Sequence, residues 1–404
     1  MLSEKNKEVI RSTVPVLETH GEAITKRFYT RLFAFHPELL NVFNEANQRE
    51  GRQQTALANA VYAAAVHIDH LDEILPTVKK IAHKHRSLGV LPEHYPIVGE
   101  NLLAAMKDVL GDAASDEILG AWAEAYGMIA DAFIGVEHQM YHDASSQPGG
   151  WAGFREFAVD QKVKESEVIT SFYLKPTDTK PLATFYPGQY VTIKVSAPGR
   201  GNTQLRHYSL SDTPNGQYYR ISVKREAGRE GEPAGIVSTF LHDHVAVGDT
   251  LLLSAPAGDF IFEPDTSGPI VFLSGGVGMT PLVSMLKTVL EKQPERDVTY
   301  IHAAINGSVH AMKSFFDQLA STHDQMKYHI VYERPVKEDR EHAHFAKEGL
   351  IDLPWLQSAV AKESTFYFCG PQPFMKAVYH GLKEWGVREE QIRYEFFGPQ
   401  GSLQ

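Results

Sequence analysis

Two histidines separated by one lysine stand in the stretch IAHKHRSLGV, which covers residues 81–90. In a helix, residues i and i+2 do not share a face, so only one of His83 and His85 can point into a given pocket. His85 falls on the apolar stripe of this segment, whereas His83 falls on the polar side with Lys80 and Arg86. The pattern predicts that His85 points inward, either as a metal ligand or as an ordinary core histidine.

Two further polar residues are candidates to support an inward His85. Glu137 lies at the edge of an apolar helical stripe, where an ionised carboxylate is costly unless it has a partner. Tyr95 precedes Pro96 at another helix start and supplies a hydroxyl group. A carboxylate and a hydroxyl behind a histidine form the arrangement that orients a metal-ligating imidazole and raises its basicity. These neighbours favour a ligand role for His85, while the ordinary core histidine stays open on these residues alone.

A second group of motifs indicates nucleotide binding. In RHYS, residues 206–209, the Arg206 guanidinium can pair with a pyrophosphate, and the Tyr208 ring can lie on an aromatic ring. The stretch VFLSGGVGMTPLVSML, residues 271–286, reads as a strand, a glycine-rich turn and a helix, which places backbone N–H groups against a phosphate. It is not GxGxxG, so it is not the dehydrogenase fingerprint.

Cys369 lies in YFCGPQPFM, at the predicted carboxyl end of a strand. Open α/β sheets bind their ligands at this end, which makes the cysteine a candidate for a ligand contact. On its own, Cys369 also suits a buried strand position without a functional role.

Three segments of different periodicity must position these residues. Residues 1–143 read as helices with apolar residues at i, i+3, i+4 and i+7, and residues 144–151, ASSQPGGW, have the composition of a linker. Residues 152–263 change to a period of two, which predicts an antiparallel β-barrel. In residues 264–404, apolar strands alternate with helices, as in a parallel sheet with crossover helices. The expected fold is multidomain: all-α, then antiparallel β-barrel, then α/β.

The composition argues against several classes of function. The 404 residues are 43% hydrophobic and 22% charged, which is ordinary for a globular protein, and the net charge of −11 argues against a nucleic-acid partner. No apolar run reaches the ~18 residues of a membrane helix, and the charged N-terminus is not a signal peptide. The single cysteine excludes an internal disulfide and suits a reducing compartment. We expect a cytoplasmic monomer without stable membrane insertion.

The first segment resembles a bacterial haemoglobin domain over roughly residues 1–140. This resemblance implies that His85 is the proximal haem ligand, with Tyr95 and Glu137 hydrogen-bonded behind it, and that Tyr29 is the distal tyrosine. The other haem-pocket residues that it implies are Phe43, Gln53 and Leu57. By residue type alone, Phe43 and Leu57 also suit plain core positions, and Gln53 suits a surface position.

The remaining segments resemble the FAD and nicotinamide domains of the ferredoxin-reductase family, through YPGQY, RHYS, GIVSTFLH, GGVGMTP and CGP. The implied FAD contacts are Tyr190, Arg206, His207, Tyr208, Ser209, Gly235, Val237 and Ser238. The implied nicotinamide contacts are Gly275, Gly276, Val277, Gly278, Met279, Thr280, Pro281, Cys369, Gly370 and Pro371. The tail RYEFFGP resembles a strand that returns to cover the flavin through Phe396, Phe397, Gly398 and Pro399.

Lys84, between the two histidines, acquires a role from the same resemblance. It would approach Glu395 at the junction of haem and flavin and tune the redox potentials through its charge. The alternative is an ordinary solvated pair of surface charges, which contributes about 0–1 kcal/mol.

The three segments in this order resemble the flavohaemoglobin family over the whole chain. The resemblance implies haem b, FAD and NAD(P)H as cofactors, and it implies a nitric oxide dioxygenase that turns NO and O₂ into nitrate. The strand end AAINGSVH has no arginine obviously placed for a 2′-phosphate, which favours NADH. Two alternatives stay open. One is an O₂ or NO sensor or store whose attached reductase keeps the iron ferrous. The other is a general reductase of flavins, ferric complexes or hydroperoxides, with lipid as a further ligand of the distal pocket.

Overall fold

The structure is a computed structural model, and it describes residues 2–43, 51–197, 199, 201–228, 233–265 and 268–398. The chain forms two compact units. The first extends to Phe154 and includes Lys194–Arg206 and Gly398, and the second comprises Arg155–Ile193 and His207–Phe397.

The first unit is helical, as predicted. Its α-helices in the described residues are α1 (Glu4–Ser12), α2 (Val14–Phe35), α3 (Arg52–Val66), α4 (Leu75–Leu88), α5 (His94–Leu110) and α6 (Asp116–Ser146). Short 3₁₀ turns occupy Pro37–Asn41, Leu71–Ile74 and Gly111–Ala113. The apolar faces of α1, α2, α5 and α6 meet in one core that includes Phe28, Leu102 and Trp122.

Local sequence sets the ends of the two helices that matter most for the site. Pro76 lies in the first turn of α4, where its fixed φ suits a helix start. The helix ends at Gly89, whose φ of +82° is the left-handed conformation of a helix C-terminus. Helix α6 begins at Ser115, whose side chain accepts from the N–H of Ile118 at 3.3 Å. Helices α4 and α6 pack against each other, so α4 turns His85 toward α6.

Two details of this unit differ from the sequence-based expectation. Helix α6 continues to Ser146, so the segment predicted as a linker begins as the last helical turn. A turn follows, closed by the N–H of Gly150 on the Gln147 carbonyl at 2.8 Å. Arg86 was expected on the polar face of α4, but only 7% of it is exposed. Arg86 lies near Tyr141 of α6. Burial and then Glu137 raise the pKa of the Tyr141 phenol, and the charge of Arg86 offsets part of that rise.

The β part of the chain, most of which belongs to the second unit, is a closed antiparallel sheet. Its strands are β1 (Phe154–Lys164), β2 (Ile169–Pro176), β3 (Tyr190–Val195), β4 (Gln204–Ser209), β5 (Tyr219–Lys224) and β6 (Thr250–Ser254), in the order β4-β3-β6-β1-β2-β5. A bridge between Leu210, which follows β4, and Ile221 of β5 joins the two edges. Closure of the sheet confirms the predicted barrel. Helix α7 (Ile236–His244) lies between β5 and β6 in the chain.

The α/β part has a parallel sheet, as predicted. Strands β7 (Ile270–Gly275), β8 (Val298–Ala304), β9 (Met326–Tyr332), β10 (Phe345–Glu348), β11 (Thr365–Cys369) and β12 (Ile392–Glu395) lie in the order β10-β9-β8-β7-β11-β12. The helices are α8 (Met279–Lys292), α9 (Lys313–Thr322), α10 (Lys337–Arg340), α11 (Leu353–Ala359) and α12 (Gln372–Glu384). Separate apolar clusters cover the two faces of the sheet. Across the described ranges, no helix is long and apolar enough to cross a bilayer.

Candidate functional site

His85, Tyr95 and Glu137 meet between three helices of the first unit. Nδ1 of His85 lies 2.7 Å from Glu137 Oε1, and the Tyr95 hydroxyl donates to the same oxygen at 2.6 Å. The Tyr95 hydroxyl also lies 3.2 Å from His85 Nδ1. Only 3% of the Glu137 side chain is exposed, so the carboxylate is buried and relies on these two donors. The structure therefore brings together the three residues that the sequence singled out.

The electrostatics of this cluster fix where its protons lie. Burial, and then the hydrogen bond to Glu137, raise the pKa of the Tyr95 phenol far above its ordinary value, which keeps Tyr95 a neutral donor. The pKa of the neighbouring Tyr141 rises to about 12, through burial and then Glu137. A carboxylate beside Nδ1 holds the imidazole proton there, which leaves the lone pair on Nε2.

The His85 side chain fits a metal-bearing group on its Nε2 side. The His85 side chain is 32% exposed although its partner Glu137 is buried, and within the described ranges Nε2 makes no hydrogen bond. Phe133 packs beside the ring, with 5.6 Å between the ring centroids. A histidine that is anchored on Nδ1 and open on Nε2 has the donor geometry that an axial haem ligand needs.

The predicted distal residues lie on α2 and α3 and in the turn after α2. The buried Tyr29 ring meets the Phe43 ring edge to face, with centroids 5.8 Å apart. Leu57 packs on the same apolar core, and Gln53 is partly buried one turn earlier on α3. The structure thus brings Tyr29 and Phe43 into contact, while their roles beside a haem remain predictions.

Strand β4 places the RHYS residues in alternation. Arg206 and Tyr208 are partly buried on one face, and Ser209 is buried at the strand end. On the other face, His207 bonds Thr192 Oγ1 at 2.8 Å and packs on Tyr190 at 4.7 Å between ring centroids. The contact of His207 with Tyr190 was not predicted, because neither motif indicates that β3 and β4 are neighbours in the sheet.

The amino end of α7 has the properties of an anion site. Gly235 precedes the helix and has no side chain to cap its first N–H groups, Val237 among them, and the described residues supply no such cap bond from that position. A Cβ on Gly235 would lie 2.7 Å from Ser238 Oγ and 2.9 Å from Glu226 Cβ, so close packing requires glycine there. The Ser238 hydroxyl faces the Gly235 carbonyl at 3.3 Å and accepts from Glu226 N at the same distance. Because that hydroxyl is engaged, we expect the backbone N–H of Ser238 to serve a phosphate.

The glycine-rich turn after β7 packs tightly against the end of β11. A Cβ on Gly278 would lie 2.1 Å from the carbonyl oxygen of Cys369 and 2.6 Å from Gly370 N. Gly276 instead has a φ of +52° and open space where a Cβ would project, which leaves room for a ligand to approach the Gly276 backbone. The other residues of this predicted set lie at the end of β7 (Gly275), in the turn (Val277), in the first turn of α8 (Met279, Thr280 and Pro281) or directly before α12 (Pro371).

Cys369 and Glu395 lie opposite each other on β11 and β12. Burial, and then Glu395, raise the pKa of the Cys369 thiol well above its ordinary value, so the thiol stays neutral. After β12, Phe396 is partly buried and Phe397 is exposed, while Pro399 lies outside the described residues. Lys84 Nζ donates to the Gly398 carbonyl at 3.2 Å, and its pairing with Glu395 remains a prediction.

Sequence reasoning missed one arginine at the ligand end of the parallel sheet. Arg334 follows β9, and its backbone N–H donates to the Ile305 carbonyl at 2.8 Å, directly after the end of β8. Its guanidinium lies 3.5 Å from the Glu333 carboxylate, and both side chains are exposed. Only the parallel register of β8 and β9 could have placed Arg334 there.

Comparison with known proteins accounts for all three parts. Residues 26–133 match the globin family, residues 156–262 the oxidoreductase FAD-binding domain and residues 272–380 the oxidoreductase NAD-binding domain. The flavohemoprotein of Halalkalibacterium halodurans is 57% identical over 403 residues, covering 100% of this chain and 98% of that protein. The flavohemoprotein of Bacillus subtilis is 51% identical over 404 residues, covering 100% and 99%.

Two solved structures extend the comparison. A flavohemoglobin from Malassezia yamatoensis, with bound FAD and heme, superposes with a TM-score of 0.85 at 27% identity, over 98% of this chain and 100% of that one. The FAD/NAD-binding domain of a Vibrio cholerae nitric oxide dioxygenase has a TM-score of 0.55 at 37% identity, over 61% and 99%. The chain therefore belongs to the flavohemoprotein family, in which a globin that binds haem is joined to a module that binds FAD and a nicotinamide coenzyme.

Proposed function

We propose that this flavohemoprotein is a nitric oxide dioxygenase that detoxifies NO. Two molecules of NO, two of O₂ and one NAD(P)H would give two nitrate ions, NAD(P)⁺ and a proton. The observation that carries the proposal is the His85–Glu137–Tyr95 cluster, whose carboxylate lies 2.7 Å from Nδ1 of the imidazole. The Vibrio cholerae neighbour that is named a nitric oxide dioxygenase supports it on the reductase side.

The bound cofactors supply the redox chemistry: the flavin takes a hydride and releases electrons singly, and the haem is where O₂ and NO react. On the proximal side, the chain provides the Nε2 lone pair of His85. Glu137 accepts the Nδ1 proton and makes that lone pair more basic, and Tyr95 keeps the carboxylate oriented. A strongly donating axial ligand favours activation of oxygen over its storage.

On the distal side, the proposal assigns Tyr29 as a hydrogen-bond donor to the reacting oxygen. Its ring is held by Phe43 and by Phe28, whose centroid is 4.8 Å away, so the phenol has little freedom to turn aside. Gln53 and Leu57 would line the same side of α3 and exclude bulk water.

In the reductase part, the proposal assigns phosphate contacts to Arg206 and to the amino end of α7. The flavin ring would lie against Tyr208 and Ser209, and the nicotinamide coenzyme against the turn at Gly276. Lys84 and Glu395 are proposed to tune the electron transfer through charge. NADH is the proposed coenzyme, and the proposed location is the cytoplasm, where Cys369 stays reduced.

The test is to supply the purified protein with NADH, dissolved O₂ and measured pulses of NO, and to count NADH consumed and nitrate formed. We expect one NADH for every two nitrate ions, because one hydride carries two electrons. Tyr29→Phe should lower NO turnover by about 10²- to 10³-fold, as the loss of a preorganised donor does. Tyr62→Phe, which removes a hydroxyl from a partly buried tyrosine of α3, serves as the matched control.

Other outcomes would assign the chain to one of the alternatives. NADH oxidation that yields superoxide or peroxide, with NO left over, would indicate a general reductase. Tight O₂ or NO binding with slow NADH turnover would indicate a sensor or store. Correct stoichiometry with an active Tyr29→Phe variant would preserve the function and remove Tyr29 from its assigned role.

A further inference from the structure

The barrel and the nicotinamide-binding part of the second unit meet largely through apolar side chains. Phe260 and Phe262, which follow the barrel, share one buried cluster with Met279 and Met285 of α8. A Cβ on Gly188, in the turn before β3, would lie 2.4 Å from the end of the Met285 side chain, so the two parts are in close contact. Apolar contacts have little directional preference, so such a surface holds two bodies together without fixing their register.

A buried ion pair crosses this apolar surface. The other polar contacts across it among the described residues include the pair of Arg393 with Glu263 at 3.1 Å and the bond from Glu167 N to the Ser308 carbonyl at 3.0 Å, and the Arg393 and Glu263 side chains are more exposed than the buried pair. Lys287 Nζ donates a short hydrogen bond to Asp212 Oδ1, where 5% of the Asp212 side chain and 22% of the Lys287 side chain are exposed. Asp212 follows the buried Ser209 by three residues, at the end of the strand that carries RHYS. Lys287 lies about two turns into α8, the helix that begins directly after the glycine-rich turn. The pair thus connects the strand proposed to contact flavin with the helix that follows the nucleotide turn.

The barrel holds the Asp212 carboxylate in a fixed orientation. Oδ1 accepts from Thr213 N at 2.8 Å, and Oδ2 accepts from the Tyr218 hydroxyl at 3.0 Å and lies 3.7 Å from Arg220. Although burial favours the protonated acid, Arg220 and Lys287 hold the pKa of Asp212 below its usual value. The carboxylate therefore keeps partners inside the barrel when Lys287 is removed.

We propose that Asp212 and Lys287 are positioning residues that set the register between the flavin site and the nicotinamide site. A buried ion pair adds little net stability but demands one geometry, so it fixes what the apolar surface leaves free. The reaction that depends on this register is the transfer of one hydride, a proton with two electrons, from dihydronicotinamide to FAD. A misplacement of about 1 Å lowers the rate of such a step about 100-fold.

This inference concerns the reduction of the flavin alone, so it stands whether or not NO is the substrate at the haem. The experiment mixes full-length protein, loaded with haem and FAD, with excess NADH in the absence of O₂ and follows bleaching of the flavin. Three variants are compared: Lys287→Met, Lys287→Arg and Lys292→Met. Lys292 lies on the same helix and is exposed, so its loss removes an equal charge from the edge of α8.

We expect Lys287→Met to lower the limiting rate of flavin reduction by about tenfold or more, with FAD content and the thermal unfolding midpoint unchanged. The deuterium isotope effect with NADH labelled at the transferred hydrogen should rise, since hydride transfer becomes fully rate-limiting. Lys287→Arg keeps the charge and should recover most of the rate, and Lys292→Met should match the unchanged protein.

Two results would overturn the proposal. One is a Lys287→Met protein whose limiting rate stays within about twofold of the parent. The other is a loss confined to the amplitude of bleaching, with rate and isotope effect unchanged, because that pattern marks a smaller folded fraction and not a shifted geometry.

Discussion

Tyr95 and His85 direct their polar groups at the same oxygen of one buried carboxylate. The phenol lies 2.6 Å and the imidazole Nδ1 2.7 Å from Glu137 Oε1. Because both residues hydrogen-bond the same oxygen, a change in the charge on Glu137 Oε1 alters the hydrogen bonds of His85 and Tyr95 together.

Glu137→Gln should weaken the proximal ligand without removing it. A neutral amide accepts the Nδ1 proton less strongly, so Nε2 of His85 becomes a poorer donor. We expect a lower iron–histidine stretching frequency, a higher haem midpoint potential and a loss of about 10- to 100-fold in haem affinity or turnover. Asp131→Asn changes an exposed carboxylate of the same helix α6 and should leave all three quantities as they were. An unchanged stretching frequency in Glu137→Gln would contradict the assigned coupling.

Gly278→Ala and Gly276→Ala should fail in different ways. At Gly278 the new Cβ meets the Cys369 carbonyl oxygen at 2.1 Å, and backbone atoms cannot move aside cheaply. We expect a loss of about 1–3 kcal/mol in unfolding free energy, or more. At Gly276 nothing lies within 4 Å, so the cost to the fold is only that of a φ of +52° in a residue with a side chain.

The two variants can be separated by pairing thermal unfolding with titration of NAD⁺. Gly278→Ala should lower the unfolding midpoint more than Gly276→Ala does. Gly276→Ala should weaken NAD⁺ binding by a larger factor than its stability loss explains, because its methyl group enters the open side of the turn. If both variants lost the same unfolding midpoint and the same NAD⁺ affinity, the assignment of Gly278 to packing and of Gly276 to coenzyme binding would be wrong.

How far the sequence alone reaches differs from residue to residue. The helical period identified His85 as the inward histidine, and the change of period located the barrel and the parallel sheet. The same period placed Arg86 on the wrong side, since a long side chain can run along a packed helix surface. The engaged Ser238 hydroxyl depends on a contact with Glu226, which no local pattern encodes.

Contacts between distant segments lie beyond local patterns for a physical reason. Asp212 and Lys287 are separated by 75 residues, and their meeting depends on how the barrel closes and on which face α8 covers. His302 and His310 likewise stack, at 4.1 Å between ring centroids, because a loop returns over the end of β8. Periodicity assigns residues to faces, whereas these pairs are set by the packing of whole elements.

The stacked histidines predict sensitivity to acid. Burial lowers the pKa of His302 to about 3 and lowers that of His310 well below its ordinary value. His302 Nδ1 bonds Ser274 Oγ at 2.7 Å, and His310 bonds the hydroxyls of Tyr332 and Tyr328. Within the described residues, His302 Nε2 has no hydrogen-bond partner, so a proton there would be unsatisfied.

The sign of the effect follows from proton binding. The unfolded chain takes up a proton at each histidine below the ordinary histidine pKa of about 6.5, whereas the folded chain takes one up at His302 only near pH 3 and at His310 only well below the ordinary pKa. Stability is therefore fully present above pH 6.5 and falls as the pH drops, by about 1.4 kcal/mol per pH unit for each histidine. Urea unfolding between about pH 5 and pH 7 should show this slope. His302→Gln should reduce the slope by about 1.4 kcal/mol per pH unit, the contribution of one proton. An identical slope in the variant would show that other groups control acid unfolding.

Glu333 and Arg334 should influence the choice between NADH and NADPH. Arg334 lies beside the end of β8, where the adenosine end of a coenzyme would bind, and Glu333 partly offsets its charge at 3.5 Å. Glu333→Gln removes that offset and leaves an exposed cation for a 2′-phosphate. Because exposed charges contribute about 0–1 kcal/mol, we expect the ratio of kcat/KM for NADPH to that for NADH to rise by up to about fivefold. The gain should shrink at high salt, since exposed charges are screened. Glu384→Gln, which removes an exposed carboxylate at the last residue of α12, is the control for the lost negative charge. A ratio that does not move, or one that moves equally in both variants, would separate Arg334 from coenzyme choice.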